Sequence, residues 1–385
     1  MDEKIFEQKM TRRDFIRKGA RTGVGIGLGM SALGTILVGA KKKGGSQLDK
    51  ITFITPRGTV EVMDDYNLWV PIHMGYFKDL GLDVTMEPGP LDAFACTKFV
   101  DQNQADVGYP SPGVLTASID TGMQVILAYE MMIGSVWHFA VREDSPMKSP
   151  KELDGKTISL GDVAWQVITD PLFVELGIDP KSVKYVSGGA QWGQLVSQGK
   201  ADAALAWLAL DVQWNAVGLK LKYFRGSDFS IMPSNGYAVR KADLKDPAKR
   251  DVLARFMKGS SMGMHFGVQN PQAAAQIVYD RFSAIREQMT PDIAIESMRQ
   301  LAYSYVEGER RKLGYGAFVP EGWQKYLDVI YQLGQTKRKL TVEETITQDL
   351  IKDANNFDRK RVEKDAKGFK LNDTWKNVKT QGPFI

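Results

Sequence analysis

Cysteine and histidine are scarce in this 385-residue chain: it has one cysteine, Cys96, and three histidines, His73, His138 and His265. A single cysteine closes no internal disulfide, and three scattered histidines offer no zinc-type spacing, so a stapled or zinc-organised fold is excluded. Cys96 is expected as a small buried apolar residue. Nucleophile–base and metalloprotease motifs of the Gly-x-Ser-x-Gly and His-Glu-x-x-His kind are missing, as is a phosphate-cradling loop. No enzyme activity and no cofactor or metal are therefore expected. Charge of one sign is lacking too: 50 Lys and Arg stand against 46 Asp and Glu, a formal +4. That is too little for broad attraction to nucleic acid or an anionic membrane. Beyond the first 40 residues there is no second membrane candidate, low-complexity tract or tandem repeat.

What is present begins with a twin arginine. Thr11-Arg12-Arg13-Asp14-Phe15-Ile16-Arg17-Lys18 precedes an uncharged, glycine-rich stretch from Thr22 to Ala40. The motif resembles the Tat export signal, with Arg17 in the usual lysine slot. The apolar run from Val24 to Val38 is diluted by glycine and makes a poor bilayer span, and Val38-Gly39-Ala40 offers small residues to a signal peptidase. The expectation is a Tat signal over residues 1–40, engagement of the Tat translocase, and cleavage near Ala40. A retained anchor is the other outcome. The segment carries seven basic and four acidic residues, so its removal takes the formal charge from +4 to +1. The product is expected in the periplasm as a soluble monomer.

The remaining 345 or so residues exceed what one hydrophobic core should carry. Strand-like and helix-like segments alternate: strands at 51–54, 82–86, 105–108 and 124–128, with helices over 67–80, 92–102 and from Ser111. The alternation restarts after Gly155, with strands at 157–160, 183–186, 201–207 and 221–224. Single helices between strands imply parallel pairing, an α/β fold whose ligands bind at the carboxyl ends of the strands. After Val239 the pattern changes to long amphipathic helices opening at prolines, Pro247, Pro271 and Pro291 among them. The charged stretch 337–379 reads as a solvated helix and an extended wrap. Asp106 and Asp202, each before a short apolar run, are expected to bond turn amides rather than act in catalysis.

Four motifs occur in order: Gly75-Tyr76-Phe77 with Gly81-Leu82-Asp83-Val84, then Ala105-Asp106-Val107-Gly108, Asp144-Ser145 with Glu152-Leu153-Asp154-Gly155-Lys156, and Gly199-Lys200-Ala201-Asp202-Ala203. Over about residues 50–330 the chain resembles the NMT1/THI5-like solute-binding proteins of nitrate, taurine, sulfonate and thiamine-pyrimidine-precursor ABC importers. Asn103 stands where the family has glycine. The resemblance implies a type II periplasmic binding protein, with two Rossmann-like lobes joined by two hinge strands. Crossings are expected near Phe139–Val141 and Gly236–Ala238, giving lobe one as 50–140 plus 240–385 and lobe two as 142–236. It also implies a small organic solute as ligand, and an ABC permease and ATPase as partners.

The loops that follow strands supply the candidate ligand-binding residues: Arg57, Asn67, Trp69, Tyr109, Ser111, Glu130, Trp137, Trp165, Gln191, Trp207 and Asn235. Tryptophan gives a flat apolar wall and one donor, suited to a planar or partly apolar solute. Glu130 favours an amine or protonated ring nitrogen and Arg57 an anion. A nitrogen-containing or aromatic solute leads, with an alkyl sulfonate or aromatic carboxylate as the alternative. The enzyme alternative within this family depends on a cysteine-rich motif and iron, against which Cys96 alone argues. A receptor-coupled sensor would use the same cleft.

Overall fold

The computed structural model describes residues 47–90, 94–132, 134–306 and 310–378, with the side chains of 310 and 311 left aside. The export motif and its apolar run lie outside the described residues. The first sheet has the order β2-β1-β3-β10-β4, from β1 (Asp49–Ile54), β2 (Leu82–Glu87), β3 (Val107–Gly108), β4 (Val125–Glu130) and β10 (Gly236–Arg240). The second has the order β7-β6-β8-β5-β9, from β5 (Trp137–Arg142), β6 (Thr157–Leu160), β7 (Lys184–Ser187), β8 (Ala203–Trp207) and β9 (Leu221–Phe224). The two plans are the same. In each sheet the fourth strand runs antiparallel to both neighbours, and that strand is the chain arriving from the other sheet.

The chain leaves the first sheet after Glu130 and joins the second at Trp137, so Phe139–Val141 lie inside β5 rather than at a crossing. It returns between Phe224 and Gly236. The two crossing segments are bonded side by side. Met131 N–H donates to Asn235 O (3.0 Å), Met132 N–H to Ser234 Oγ (3.2 Å), and Ser234 Oγ–H to Met132 O (2.5 Å).

One device recurs in both sheets. Asp106 accepts the Thr52 amide at 2.8 Å beside β1, and Asp202 accepts the Thr157 amide at 2.9 Å beside β6. Each carboxylate ties the second strand of its sheet to the loop before the third; the amide it bonds belongs to a strand, where a turn amide was expected.

Helices cover the sheets: α1 (Tyr66–Met74), α2 (Ala95–Asp101), α3 (Pro112–Asp120), α4 (Gln166–Glu175), α5 (Trp192–Ser197) and α6 (Leu210–Ala216). They are followed by α7 (Pro247–Gln269), α8 (Pro271–Arg281), α9 (Pro291–Ser304), α10 (Pro320–Gln332) and α11 (Arg359–Gly368). The helix expected over 67–80 is broken at Gly75, whose φ of +79° turns the chain. Long α7 lies against α1 because Gly259, Gly263 and Gly267 fall on one face. A Cβ on Gly263 would stand 2.3 Å from the Asn67 carbonyl oxygen, so only glycine allows that approach. Prolines 247, 271, 291 and 320 each occupy a first helical position, where the missing N–H costs nothing.

The charged tail is less solvated than its composition suggests. Val362 and Ala366 of α11 and Trp375 are fully buried, and the Trp375 ring meets Tyr279 edge-on at 5.3 Å. The tail therefore straps the helices of the first sheet with one apolar face. Cys96 is buried, and Tyr76 and Phe77 pack into the core, Phe77 stacked on Phe256.

Candidate functional site

The carboxyl ends of β1 and β3 and the loops after them form one edge. Arg57, just after β1, is held by Asp65 at 2.5 Å and stands 3.7 Å from Asp64, with its guanidinium 5.9 Å from the Tyr109 ring centre. Burial opposes its charge, but the two aspartates outweigh that and keep it firmly protonated. Burial also lifts the Asp64 carboxyl above its ordinary value, with Arg57 acting against the rise. The Arg57 Nε is buried without a hydrogen-bond partner. Beside it, Ser111 caps α3 by accepting the Val114 amide at 3.4 Å, so the start of that helix points its free amides at the same edge.

Tyr109 belongs to a layer of rings beneath this edge. Tyr237 meets Tyr109 edge-on (5.6 Å), stacks on Tyr129 (5.4 Å) and touches Phe53 (5.5 Å). Burial pushes the phenols of Tyr109 and Tyr237 above their ordinary range, so they remain neutral.

The second sheet's edge is a tryptophan cluster. Trp207 at the end of β8 meets its cross-strand partner Trp137 at 6.1 Å, Trp165 at 5.8 Å and Trp192 at 5.7 Å. Trp165 and Trp192 touch edge-on at 5.5 Å, and Trp214 of α6 closes the group against Trp192 at 5.2 Å. Trp192 donates its indole N–H to Leu205 O at 2.8 Å. Trp137, Trp165, Trp192 and Trp207 are half-buried, whereas Trp214 is buried. Gly161 makes room for the cluster, since a Cβ there would come within 2.5 Å of the Trp165 ring. His138 lies next to this wall. Its Nδ1 accepts the Gly226 amide at 3.2 Å, its Nε2 is buried without a partner, and burial pushes its pKa down to about 4, with Arg225 adding to the fall.

Of the sequence-predicted residues, Arg57, Tyr109 and Ser111 gather at the first edge, and Trp137, Trp165 and Trp207 at the second. Five stand elsewhere or serve otherwise. Asn67 is fully buried within α1, where its amide donates to Tyr237 Oη (2.5 Å) and Ser260 Oγ (2.7 Å), so it joins α1 to the core. Trp69, one turn along α1, faces the helical shell: its N–H goes to Val60 O, its ring meets Phe282 at 5.0 Å, and Arg281 lies over it at 4.4 Å. Glu130 is 2 % exposed and its Oε1 accepts the Ser234 amide at 3.1 Å, tying the two crossings together. Gln191 is exposed at the end of a short turn. Asn235 is half-buried in the return crossing, with its Oδ1 unpartnered.

Sequence reasoning missed Asp64, Asp65 and Trp214. The aspartates sit seven and eight residues past Arg57, and a search for counter-charges within that one loop would have found them. Trp214 carried no signal beyond being a seventh-residue neighbour of Trp207, since its inclusion depends on how α6 folds back. A recess of about 400 Å³ beside Asp49, Asp106, Asp243, Lys249 and Arg255 lies at the amino ends of the first sheet's parallel strands. Its charges are paired: Arg255 with Asp49 and Asp251, Lys249 with Asp243. Among the described residues no group of three or more His, Cys, Asp or Glu could hold a metal ion.

The two edges meet. Helix α3, following β3, packs against α4, following β6; α9 packs against α6, and α10 against α4. Two sheets of identical plan, joined by paired crossings with strand ends turned towards each other, define the type II periplasmic-binding-protein architecture. The chain belongs to the NMT1/THI5-like family, whose model matches residues 66–274. A formylaminopyrimidine-binding protein of Halalkalibacterium halodurans is 21 % identical over 290 residues, covering 70 % of this chain and 83 % of that protein. Among solved structures, the alkanesulfonate-binding protein of Xanthomonas axonopodis pv. citri, bound to MOPS, superposes with a TM-score of 0.59 at 10 % identity, over 79 % of this chain and 99 % of that one. A putative periplasmic sulfonate-binding protein of Methylobacillus flagellatus gives 0.57 at 14 % identity, over 80 % and 94 %.

Proposed function

We propose that this protein is the solute-binding component of an ABC importer, which captures a small organic solute by closing two lobes and delivers it to a permease and ATPase. The observation that carries the reading is the facing pair of edges, one built on Arg57 and Tyr109 and the other on tryptophans. Lobe one would comprise 47–132 with 236–378, and lobe two 134–235. Each crossing is one short segment, and a pair of such segments bonded side by side suits a hinge. Export through the Tat translocase to the periplasm, with cleavage near Ala40, completes the proposal. Replacing Arg12 and Arg13 by lysine and fractionating cells tests it, because retention in the cytoplasm is expected.

For the solute, an alkyl sulfonate or aromatic carboxylate is the better supported class. Solved relatives described as sulfonate-binding speak for it, as do the unpartnered Arg57 Nε and the α3 start at Ser111. The amine expectation loses its chief support, because Glu130 already serves the Ser234 amide in a buried crossing. A nitrogen-containing ring is the second reading. The formylaminopyrimidine-binding relative favours it, as do the two aspartates that offset Arg57.

A thermal-shift screen followed by calorimetry tests both with alkanesulfonates, taurine, aromatic carboxylates, pyrimidines, amines and nitrate. A solute at a hundredfold its Kd adds roughly 2.7 kcal/mol of stability. One-to-one binding of an anion supports the first class and of an uncharged ring the second. Silence across the panel, or turnover of any member, overturns the capture reading.

A further inference from the structure

The tryptophan wall ends in a strained turn gripped from the opposite side. Ala209, two residues beyond Trp207, has a φ of +69°, a conformation that an L-residue with a Cβ adopts only when its surroundings impose it. Among the described residues the other non-glycine with positive φ is Asn103, a residue type at home there. Ala209 opens α6, which carries Trp214 into the cluster, so this one turn joins two of the five clustered tryptophans.

Gln300 is hydrogen-bonded to this turn. Its Oε1 accepts the Ala209 amide at 3.1 Å, and its Nε2 donates to Asp211 Oδ2 at 3.4 Å. Asp211 is buried, spends its Oδ1 on the Val212 amide, and lies 3.6 Å from Arg225. Gln300 belongs to α9, which packs on the other side with α7 and α8. The residue that caps α9, Tyr305, stacks on Tyr66 and donates to the Asp64 carbonyl at 3.3 Å. One helix therefore reaches both edges of the site: its end touches the loop that holds Arg57, and one turn earlier it grips the turn that carries the tryptophans.

We propose that Gln300 is a positioning residue that reports and holds closure. It clasps the Ala209–Asp211 turn only when the two lobes meet, so its side chain sets the balance between closed and open states and thereby the affinity for solute. The inference rests on the two-lobed capture reading and adds the element that couples its edges. The clasp has two hydrogen bonds, both to groups that are buried once closed. Losing it leaves the Ala209 amide without that partner and removes the cross-lobe contribution that offsets the turn's strain. A second contact, Lys325 of α10 with the buried Glu175 of α4, lies at another point of the same junction and is the natural comparison.

The test measures distances between spin labels on the full chain without added solute. Asp83→Cys on β2 and Lys184→Cys on β7 are both exposed and belong to opposite sheets. Native Cys96 is buried and should remain unlabelled. In this background Gln300→Ala is expected to enrich a longer-distance population, with a melting temperature that stays near the parent's. Gln300→Ala with Ala209→Gly, which relieves the strain, should recover part of the shorter population. Identical distributions for the parent and Gln300→Ala overturn the proposal, as does a loss of folding in Gln300→Ala, which would make the glutamine a core residue. Failure of the capture reading looks different: solutes then leave the parent's distribution unmoved whatever residue 300 is.

Discussion

Truncating Trp165 and Trp214 one at a time separates a binding wall from a core, since the two rings belong to one cluster but differ in what covers them. Trp214, on α6, is buried and packs edge-on against Trp192, and a methyl group on Gly193 would come within 2.7 Å of it. Trp214→Ala should cost about 3–5 kcal/mol, the range for emptying a packed aromatic site. Trp165 is half-buried and meets two rings, Trp192 at 5.5 Å and Trp207 at 5.8 Å. Those ring pairs contribute roughly 0.5–1.5 kcal/mol each, so Trp165→Ala should cost about 1–3 kcal/mol. Urea unfolding followed by far-ultraviolet dichroism reads both without relying on indole fluorescence, which the substitutions change directly. Solute affinity should move the other way round: at least about tenfold weaker for Trp165→Ala, roughly 1.4 kcal/mol, and less for Trp214→Ala in whatever fraction folds. Equal stability losses, with affinity untouched by Trp165→Ala, would make the whole cluster a core and refute the aromatic wall.

Other consequences follow from single residues. His138 is neutral in the folded protein, with its pKa near 4 against an ordinary 6.5, so its contribution is intact above pH 6.5 and is lost as pH falls towards 4. The loss is up to about 3 kcal/mol, and in urea titrations His138→Asn should flatten this limb of the pH profile. Glu130→Ala leaves the Ser234 amide unpartnered in a buried crossing and should cost about 1–3 kcal/mol, while Glu130→Gln keeps an acceptor and should change stability little and solute affinity less than tenfold. Gly263→Ala forces a Cβ to within 2.3 Å of the Asn67 carbonyl and should cost roughly 1–3 kcal/mol or more by denaturation, whereas the exposed Gly368 should accept alanine without such loss.

The fold was legible where local chemistry repeats. Short strand-like runs separated by single helices pointed to the parallel pairings, and the prolines at 247, 271 and 291 marked true helix starts. The crossings were less so, because β5 reads as a transit segment until its pairing with β8 and β9 is known, and that pairing is long-range. The tail misled through composition: its charges are on the outer face, while Val362, Ala366 and Trp375 form an inner one.

At the candidate site, strand-end positions picked out Arg57, Tyr109 and three of the tryptophans, which the fold gathers at the two edges, but sequence position could not tell inward from outward on α1. Asn67 and Trp69 stand at the start of the helix that follows β1, yet Gly263 lets α1 close against α7 and both side chains are interior. The Gly259-x-x-x-Gly263-x-x-x-Gly267 spacing was the available clue to that packing. Gln300 lay beyond such reasoning altogether, since its partners Ala209 and Asp211 are about ninety positions away.

Small-angle scattering from the purified protein, titrated with the alkanesulfonates, carboxylates and pyrimidines of the screen, probes closure most directly. One member of the panel is expected to contract the particle in a saturable, one-to-one manner. A scattering profile that no member changes, even one that binds by calorimetry, would contradict capture by two closing lobes.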